Sequence, residues 1–516
     1  MRSSLPLLSL LVVLPALGAA VLHRLRQPER QRQAALGVAA LTLLLTLGAV
    51  VLFEGGVPGV QLHESWFRVP GLGVELRLGV DGMSVLALVV TALLTLGLVA
   101  AGPRQSLDRS TLGALLLTES MTLGFFCAED LALMTVFFIA TLVPTGALLA
   151  REARARPEAR TLRTFGVYML VSTLPLVVAT ALVGLGGWRS GAQAPFALTE
   201  LIARGLPATW HLPVFTLLML TVCVRMAVVP FHSWLPVLMA RGPFGVGLLL
   251  VNAHAGLYLL VRVVMPLLPG EWNRGGVMLG TLGLCAALYG SLLALAQTDL
   301  RRVVGFLLAS QSGLMLAGVA IGNTQSISGA LVQSVAAGIA LTGLDLVVRA
   351  IESRTGTTDM TRLGGLVRRA PRLAAFFFLM GFGSLGFPGT LSFVGEDLLL
   401  HGILDTHPLV ALPLLLTTAI NGVTFLRAFQ RTFLGPHAHG QAALLETVED
   451  LLPRERGMVF ALFALVVLGG LVPGPLLHLR AAQVESLAGP ESSSRHPGES
   501  AARGEVPSKA LCLARP

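Results

Sequence analysis

The residues best suited to chemistry are a few charged side chains set inside long apolar runs. Arg225 lies in such a run and is followed by Pro230, within FTLLMLTVCVRMAVVPFHSWLP. Proline lacks a backbone donor and clashes with the carbonyl four residues earlier, so a helix must kink or break there. Inside a bilayer, an ionisable group beside broken backbone marks an ion or substrate path. The sequence therefore predicts an ion-path site at Arg225, with Pro230 as a structural helix break.

The composition is that of a protein with many membrane spans. The 516 residues are 54% hydrophobic and 13% charged, with a mean hydropathy of +0.76, whereas soluble proteins carry roughly 25% charged residues. The net charge of +9 is not a nucleic-acid signal, because the arginines lie in short loops between apolar runs, as the positive-inside rule expects. The four cysteines have no metal-binding spacing, and we predict no cofactor.

Apolar runs of bilayer-spanning length recur along the chain. In the first run, residues 5–22, the arginines follow rather than precede the apolar residues, which indicates a retained span and not a signal peptide. Counting all runs predicts about fourteen transmembrane helices. Arginine-bearing loops fall on every second connection, so we expect a multi-pass protein of the bacterial inner (plasma) membrane with both termini on the outer side.

A second break is predicted inside the long run 373–404. Pro388 and several glycines interrupt this run as a structural helix break, and Glu396 follows in SFVGEDLLLHG. Two interrupted helices in corresponding halves are typical of inverted-repeat transporters. The predicted fold is an all-α polytopic membrane protein with two inverted five-helix repeats, each containing a broken helix. Its predicted segments are N-terminal helices (1–110), a first repeat (111–267), a second repeat (268–435), a loop with the last helix (436–486) and a disordered tail (487–516).

Several separate motifs, in order, carry a family resemblance. VVPFHSWLP (228–236), LAQTDLRRVVGFLLASQSG (295–313), SRTGTTDMTRLGGL (353–366) and SFVGE (392–396) resemble the proton-translocating, antiporter-like membrane subunits of respiratory complex I. The resemblance is strongest to the chain M, or subunit 4, type. It implies fourteen helices, partner membrane subunits and a line of charged residues at mid-membrane depth. Membrane hydrogenase subunits and Mrp-type cation/proton antiporters are relatives.

Two positions depart from the pattern that the resemblance implies. The family pairs a glutamate of the fifth span with a lysine of the seventh, and here Ile139 and Arg225 match those positions. Arginine holds a fixed charge but is a poor proton carrier. A lone buried charge is costly, so another anion is expected. Glu119 is the first candidate, unless it simply bonds Thr118 or Ser120.

Glu129 and Asp130 are further candidates for that anion, and the alternative is that they are solvated charges at a span boundary. His254 matches the lysine of the eighth span, and an imidazole can both accept and donate a proton. Its alternative role is that of a satisfied packing residue. Gln311 stands where many family members have histidine, and glutamine can order water.

Glu396 matches the terminal glutamate of the chain M type, and its alternative is a plain helix-end carboxylate. Ala337 stands where a histidine is frequent in the eleventh span. Asp345, in the same span, is expected to pair with Arg349, which lies four residues on and therefore on the same helix face. The predicted proton path thus comprises Arg225, His254, Glu396, Glu119 and Gln311, with protons and the lipid bilayer as partners.

Four functions are compared with the sequence. The first is a proton-translocating subunit of NADH-quinone oxidoreductase, driven by quinone reduction in partner subunits and containing no redox centre. The second is a paralogue that pumps weakly or not at all, which Ile139, Arg225 and Ala337 favour. The third is a Mrp-type sodium/proton antiporter, although no cluster of oxygen ligands is evident. The fourth is an independent enzyme, for which no catalytic constellation is found.

Overall fold

A computed structural model describes residues 6–69, 73–155, 160–189, 191–192, 195–252, 254–435 and 448–488. Within them, eleven helices are long and apolar enough to cross a membrane, or up to twelve if one bent pair forms a single span. The predicted all-helical polytopic fold is confirmed, whereas the count of about fourteen is not. The predicted tail lies outside the described residues from 489 onward, as does the loop 436–447.

In the described part of its first half, the chain contains ten α-helices and one β-hairpin. In order they are α1 (Leu7–Leu22), α2 (Pro28–Leu52), β1 (Gln61–Val69), β2 (Val74–Val80), α3 (Ser84–Ala101), α4 (Arg109–Cys127), α5 (Leu131–Ala140), α6 (Leu142–Ala155), α7 (Thr161–Arg189), α8 (Leu198–Arg204), α9 (Ala208–Arg225) and α10 (Trp234–Arg241).

The elements described in the second half are helices and helical turns. In order it contains α11 (Val246–Asn252), α12 (Ala255–Leu259), a π-helical turn (Leu260–Val264), α13 (Met265–Leu267), α14 (Pro269–Ala296), α15 (Leu300–Ile321), α16 (Thr324–Thr355), α17 (Pro371–Ser384), α18 (Leu391–Thr406), α19 (Ala411–Phe429), a second π-helical turn (Gln430–Leu434), α20 (Pro453–Leu471) and α21 (Gly474–Ala488). The long helix α16 packs against α15, α17 and α18, and α14 packs along α15.

Short polar side chains fix where several helices begin. Asp108, Asp130, Asp299 and Asn323 precede α4, α5, α15 and α16, and each accepts a backbone N–H of the first turn. The first N–H groups of a helix have no partner within it, so such a cap satisfies donors that lipid cannot. Polar residues at the ends of apolar runs therefore set the helix boundaries here.

A β-hairpin was not predicted. Strands β1 and β2 pair antiparallel, and Leu78 of β2 forms an isolated bridge with Ala128, just beyond α4. The sequence QLHESWFRV contains adjacent aromatic residues, which strands favour, but it lies between two apolar runs and carries no strand prediction. We call the end of the helical bundle that carries β1 and β2 the hairpin end.

Both predicted helix breaks are present, and two further breaks were missed. Helix α9 ends at Arg225 and α10 begins at Trp234, with Pro230 between them, while Pro388 lies between α17 and α18. The fifth span is interrupted at Thr141, between α5 and α6. The eighth span is interrupted before α12, where His254 has a φ of +48°. Pro144 lies four residues after Ala140, the last residue of α5, so the proline rule also accounts for the interruption of the fifth span. The interruption before α12 has no proline beside it, so that rule could not find it.

Candidate functional site

Arg225 faces the protein interior. It is 5% exposed, and its Nη2 donates to the Thr141 hydroxyl at 3.1 Å. Its Nη1 lies 3.9 Å from the Met169 sulfur, and its guanidinium lies 4.5 Å from the centre of the Phe138 ring. The cation therefore still meets the fifth span, as the resemblance implies, but through a hydroxyl and an aromatic face instead of a carboxylate.

The expected ion pair between Glu119 and Arg225 is not formed. Glu119 is fully buried, and neither carboxylate oxygen has a hydrogen-bond partner among the described residues. The bond to a neighbouring side chain is not formed either, because Ser120 donates to the Val12 carbonyl instead and the Thr118 hydroxyl is unpartnered within the described chain. Glu119 is thus a buried carboxyl group whose place in a proton path stays a prediction.

Glu129 and Asp130 are not solvated charges, and neither is a partner of Arg225. Glu129 is 6% exposed and bonds the ring of His63 on β1 at 2.7 Å. Asp130 is fully buried, and its carboxylate caps α5. Asp130 lies between two spans, and burial raises the pKa of its carboxyl group. Both residues instead anchor the hairpin end.

His254 lies where the chain leaves α11 and enters α12. A ring nitrogen hydrogen-bonds the backbone of Ser334 in α16, while Nε2 has no partner among the described residues. Two residues on, a Cβ at Gly256 would approach Cβ of Arg225 to 3.1 Å. A glycine is therefore required for α12 to approach the end of α9, and it brings the segment that carries His254 against the first break.

Glu396 lies in a polar cluster behind the second break. The Thr418 hydroxyl of α19 donates to Oε2 at 3.2 Å, and the side chain of Gln311 faces the carboxylate. Gln311 accepts from Nε2 of Gln333 at 2.8 Å. The alternative of a plain helix-end carboxylate does not describe this surrounding, because polar side chains of two other helices, Thr418 and Gln311, face Glu396.

Together these contacts bring three of the predicted site residues, His254, Gln311 and Glu396, close to α16. Gln333 and Ser334 are adjacent in α16, so the contact of His254 with Ser334 and the bond of Gln333 to Gln311 lie one residue apart on that helix. We call His254, Gln333, Gln311 and Glu396 the polar chain. An imidazole and a carboxyl can each take up and release a proton, and the amides between them can hold a hydrogen-bonded route in register.

Each break satisfies a carbonyl at its first half with a donor from its second half. At the first break, Nε1 of Trp234 donates to the Val224 carbonyl at 2.9 Å. At the second, the Ser392 hydroxyl donates to the Gly383 carbonyl at 2.7 Å. Backbone groups freed inside a membrane must find such partners within the protein.

Gly386 is needed for the carboxylate of Glu396 to lie close to the second break. Its φ is +67°, and a Cβ there would lie 2.6 Å from Oε2 of Glu396. A side chain at this position would therefore be both strained and in collision with the site. The glycines around Pro388 thus do more than interrupt the helix.

The predicted ion pair of Asp345 with Arg349 is present, and a second ion pair was not predicted. Nε of Arg349 lies 3.4 Å from Oδ2 of Asp345, which confirms that prediction. Asp81 pairs with Arg262 at 2.9 Å, between the start of α3 and the π-helical turn of the eighth span. Nothing in the spacing of these two residues links them, because they are brought together only by tertiary packing. Within the described residues no group of three His, Cys, Asp or Glu is placed to hold a metal ion.

Comparisons with known proteins agree with this arrangement. The chain is 31% identical over 445 residues to NADH-quinone oxidoreductase subunit 13 of Thermus thermophilus, covering 85% of this chain and 91% of the relative. It is 28% identical to F(420)H(2) dehydrogenase subunit M of Methanosarcina mazei, covering 92% and 96%. A chain of the solved respiratory complex I from Thermus thermophilus with bound NADH superposes with a TM-score of 0.84 at 29% identity, covering 93% and 99%.

The family model described as NADH:quinone oxidoreductase/Mrp antiporter, transmembrane, matches residues 128–421. This range includes both predicted helix breaks and the whole polar chain from His254 to Glu396. By this match over more than half of its length, the chain belongs to the NADH:quinone oxidoreductase/Mrp antiporter transmembrane family.

Proposed function

We propose that this chain is a chain M-type membrane subunit of an NADH-quinone oxidoreductase and that it translocates protons, coupled to quinone reduction in partner subunits. Support comes from the alignment with relatives of that name over most of the chain. The single observation that carries the proposal is the buried polar chain from His254 to Glu396. Polar and ionisable groups are expensive inside a bilayer and usually mark a functional path there.

The residues take different roles in this proposal. Glu396 loads and releases the proton, because its carboxyl accepts a hydrogen bond from Thr418 and faces Gln311, and both contacts can rearrange when it takes up a proton. His254 passes protons to it through the amides, and Arg225 biases this movement as a fixed positive charge. Glu119 is a further proton carrier, and its protonation state depends on the charges that come near it.

The same proposal fixes the setting. The chain holds no redox centre, lies among other membrane subunits of the complex in the bacterial plasma membrane and exposes both termini on the outer side. The alternation of arginine-bearing loops supports that orientation. The two inverted repeats at 111–267 and 268–435 each contribute one of the breaks beside Pro230 and Pro388.

A second candidate is a paralogue that pumps weakly or not at all. The observation favouring it is that Arg225 meets Thr141, Met169 and Phe138 but none of the three carboxylates considered as its partner. A first half without a titratable ion pair would leave only the second half able to carry protons. The two candidates differ in the number of protons moved per NADH oxidised, and not in fold.

Glu396→Gln tests the proposal in the complete complex, in inside-out membrane vesicles. Glutamine keeps a hydrogen-bonding side chain but cannot carry a proton, so we expect fewer protons per NADH with NADH oxidation retained. Asp397→Asn is the matched control, since the neighbouring carboxylate is 44% exposed and pairs only with His401. If Glu396→Gln, His254→Ala and Glu119→Gln all leave the ratio unchanged, the second candidate is correct.

A further inference from the structure

A large polar cavity opens at the end of the bundle opposite the hairpin end. Its volume is about 1160 Å³, and it lies where α4, α7 and α15 begin and where α6 and α10 end. We call this the basic end, because arginines line the cavity. They are Arg151, Arg241, Arg301 and Arg349, with Asp108, Glu152 and Glu352 among them.

The floor of the cavity is a network of four charges. Arg301 bonds Glu352 at 3.1 Å, and Arg349 lies 3.6 Å from the same carboxylate and 3.4 Å from Asp345. Two guanidinium groups thus face two carboxylates, so the network is neutral. The backbone helps to hold it, because Arg301 also donates to the Met239 carbonyl at 2.8 Å.

Exposure falls steadily along α16 from the cavity inward. The side chain of Glu352 is 33% exposed, that of Arg349 is 9% exposed, and that of Asp345 is fully buried. Oδ1 of Asp345 has no hydrogen-bond partner among the described residues. The deepest carboxylate of the network therefore has one oxygen engaged by Arg349 and one oxygen open to accept a proton.

Behind Asp345, α16 leads directly to the polar chain. Thr342, Gly338 and Ser334 lie three, seven and eleven residues before it and so share its helix face. Eleven residues of α-helix rise about 16 Å. Ser334 is the residue whose backbone bonds the ring of His254. One face of one helix thus runs from the cavity floor to the residue that the ring of His254 contacts.

From this geometry we infer that Asp345 is the proton-loading residue between the cavity at the basic end and His254, with Arg349 as the group that controls it. The inference rests on the proposed function. A proton arriving from bulk water at the basic end binds Oδ1 of Asp345, and the contact with Nε of Arg349 weakens. Arg349 then turns to Glu352, which it already approaches, and its return drives the proton on toward His254.

The test uses the complete complex in inside-out vesicles, so that the basic end faces the medium. Asp345→Asn leaves Arg349 and Arg301 to share the single carboxylate of Glu352 and risks misfolding. The decisive variant is therefore Asp345→Asn/Arg349→Gln, which removes both charges together. A positioned proton-transfer group contributes about 100-fold or more to the transfer rate. We therefore expect the double variant to lose the same share of protons per NADH that Glu396→Gln loses, while NADH oxidation persists.

Two further variants separate loading from structure. Asp345→Glu keeps a carboxyl group and should retain pumping. Glu271→Gln removes a carboxylate of another same-helix ion pair, with Arg274 at 2.9 Å and outside the cavity, and should leave the ratio unchanged. In the double variant, acidifying the medium by one pH unit should partly restore pumping, because a higher proton concentration compensates for a missing loading group and not for a misfolded one.

The inference is overturned if the double variant pumps as the unmodified complex does while Glu396→Gln is deficient. In that case the proposed function stands and only the loading role of Asp345 is lost. If neither variant changes the ratio, the proposed function falls together with the inference. A loss of pumping that acid does not restore, or one that Asp345→Glu shares, assigns Asp345 a purely structural role and also overturns the inference.

Discussion

The two broken spans solve the same backbone problem but hold opposite kinds of site. At the first break, the fixed cation of Arg225 contacts a hydroxyl, a thioether and an aromatic ring. At the second, the carboxylate of Glu396 receives a hydrogen bond from Thr418 and faces Gln311, which bonds Gln333. The first site is thus a charge without a titratable partner, and the second is a titratable group with a connected surrounding.

This difference teaches that the scaffold and the proton chemistry are separable. A helix broken by proline needs a donor for each carbonyl that it frees. At the second break Ser392 donates to the Gly383 carbonyl, whereas at the first break the Val224 carbonyl accepts both Trp234 and the backbone N–H of Ala227. Proton transfer needs more, namely groups that can exchange protons along hydrogen bonds. Symmetric halves of the fold therefore do not require symmetric function, and the predictions below are designed to break or sharpen that asymmetry.

The largest expected effect is at the second break, on Gln311→Leu. Leucine has a similar volume but cannot bond Glu396 or Gln333, so the polar chain is cut between two groups that stay in place. We expect the number of protons per NADH to fall as far as in Glu396→Gln, with NADH oxidation retained in inside-out vesicles. Gln311→His, which supplies a titratable ring at the same position, should keep the ratio. An undiminished ratio in Gln311→Leu would show that protons bypass the amides.

The next effect compares Arg262 with Arg225 by thermal unfolding of the purified complex. Arg262→Gln leaves Asp81 buried without its partner at 2.9 Å, and breaking such a pair costs about 3–5 kcal/mol. Arg225→Gln removes a charge that has no carboxylate partner among the described residues, so no anion is stranded and stability should be unchanged or higher. Equal losses in both variants would mean that Arg225 is balanced by an anion from a partner subunit.

Much of this molecule was predictable because its strongest signals are local. The helix breaks at Pro230 and Pro388 follow from the backbone N–H that proline lacks. The ion pair of Asp345 with Arg349 follows from their spacing of four residues on one helix. The family motifs pointed to His254 and Glu396 but not to the contacts between them. Those contacts depend on Gln333, whose neighbours 22 residues away are chosen by the packing of α15 on α16.

Failures of the sequence reasoning also have physical causes. Glu119 was assigned to Arg225 because a lone buried cation needs an anion, yet charge balance says nothing about which side chain can reach it. The break before His254 was missed because its left-handed backbone, with φ of +48°, is imposed by packing and not by a proline. The β-hairpin was not predicted because membrane spans are identified by long apolar runs, and β1 contains no such run.

The smallest expected effect tests the backbone solution itself, through Ser392→Ala. The Ser392 hydroxyl donates to the Gly383 carbonyl at 2.7 Å across the break, and a buried carbonyl left unsatisfied costs about 1–3 kcal/mol. Ser291 is an equally buried serine whose hydroxyl bonds the Leu288 carbonyl at 2.7 Å in the interior of α14. That carbonyl already accepts a helical N–H, so Ser291→Ala should cost less, about 0.5 kcal/mol. Thermal unfolding of both variants compares them, and the same loss in each would mean that the second break obtains its donor elsewhere.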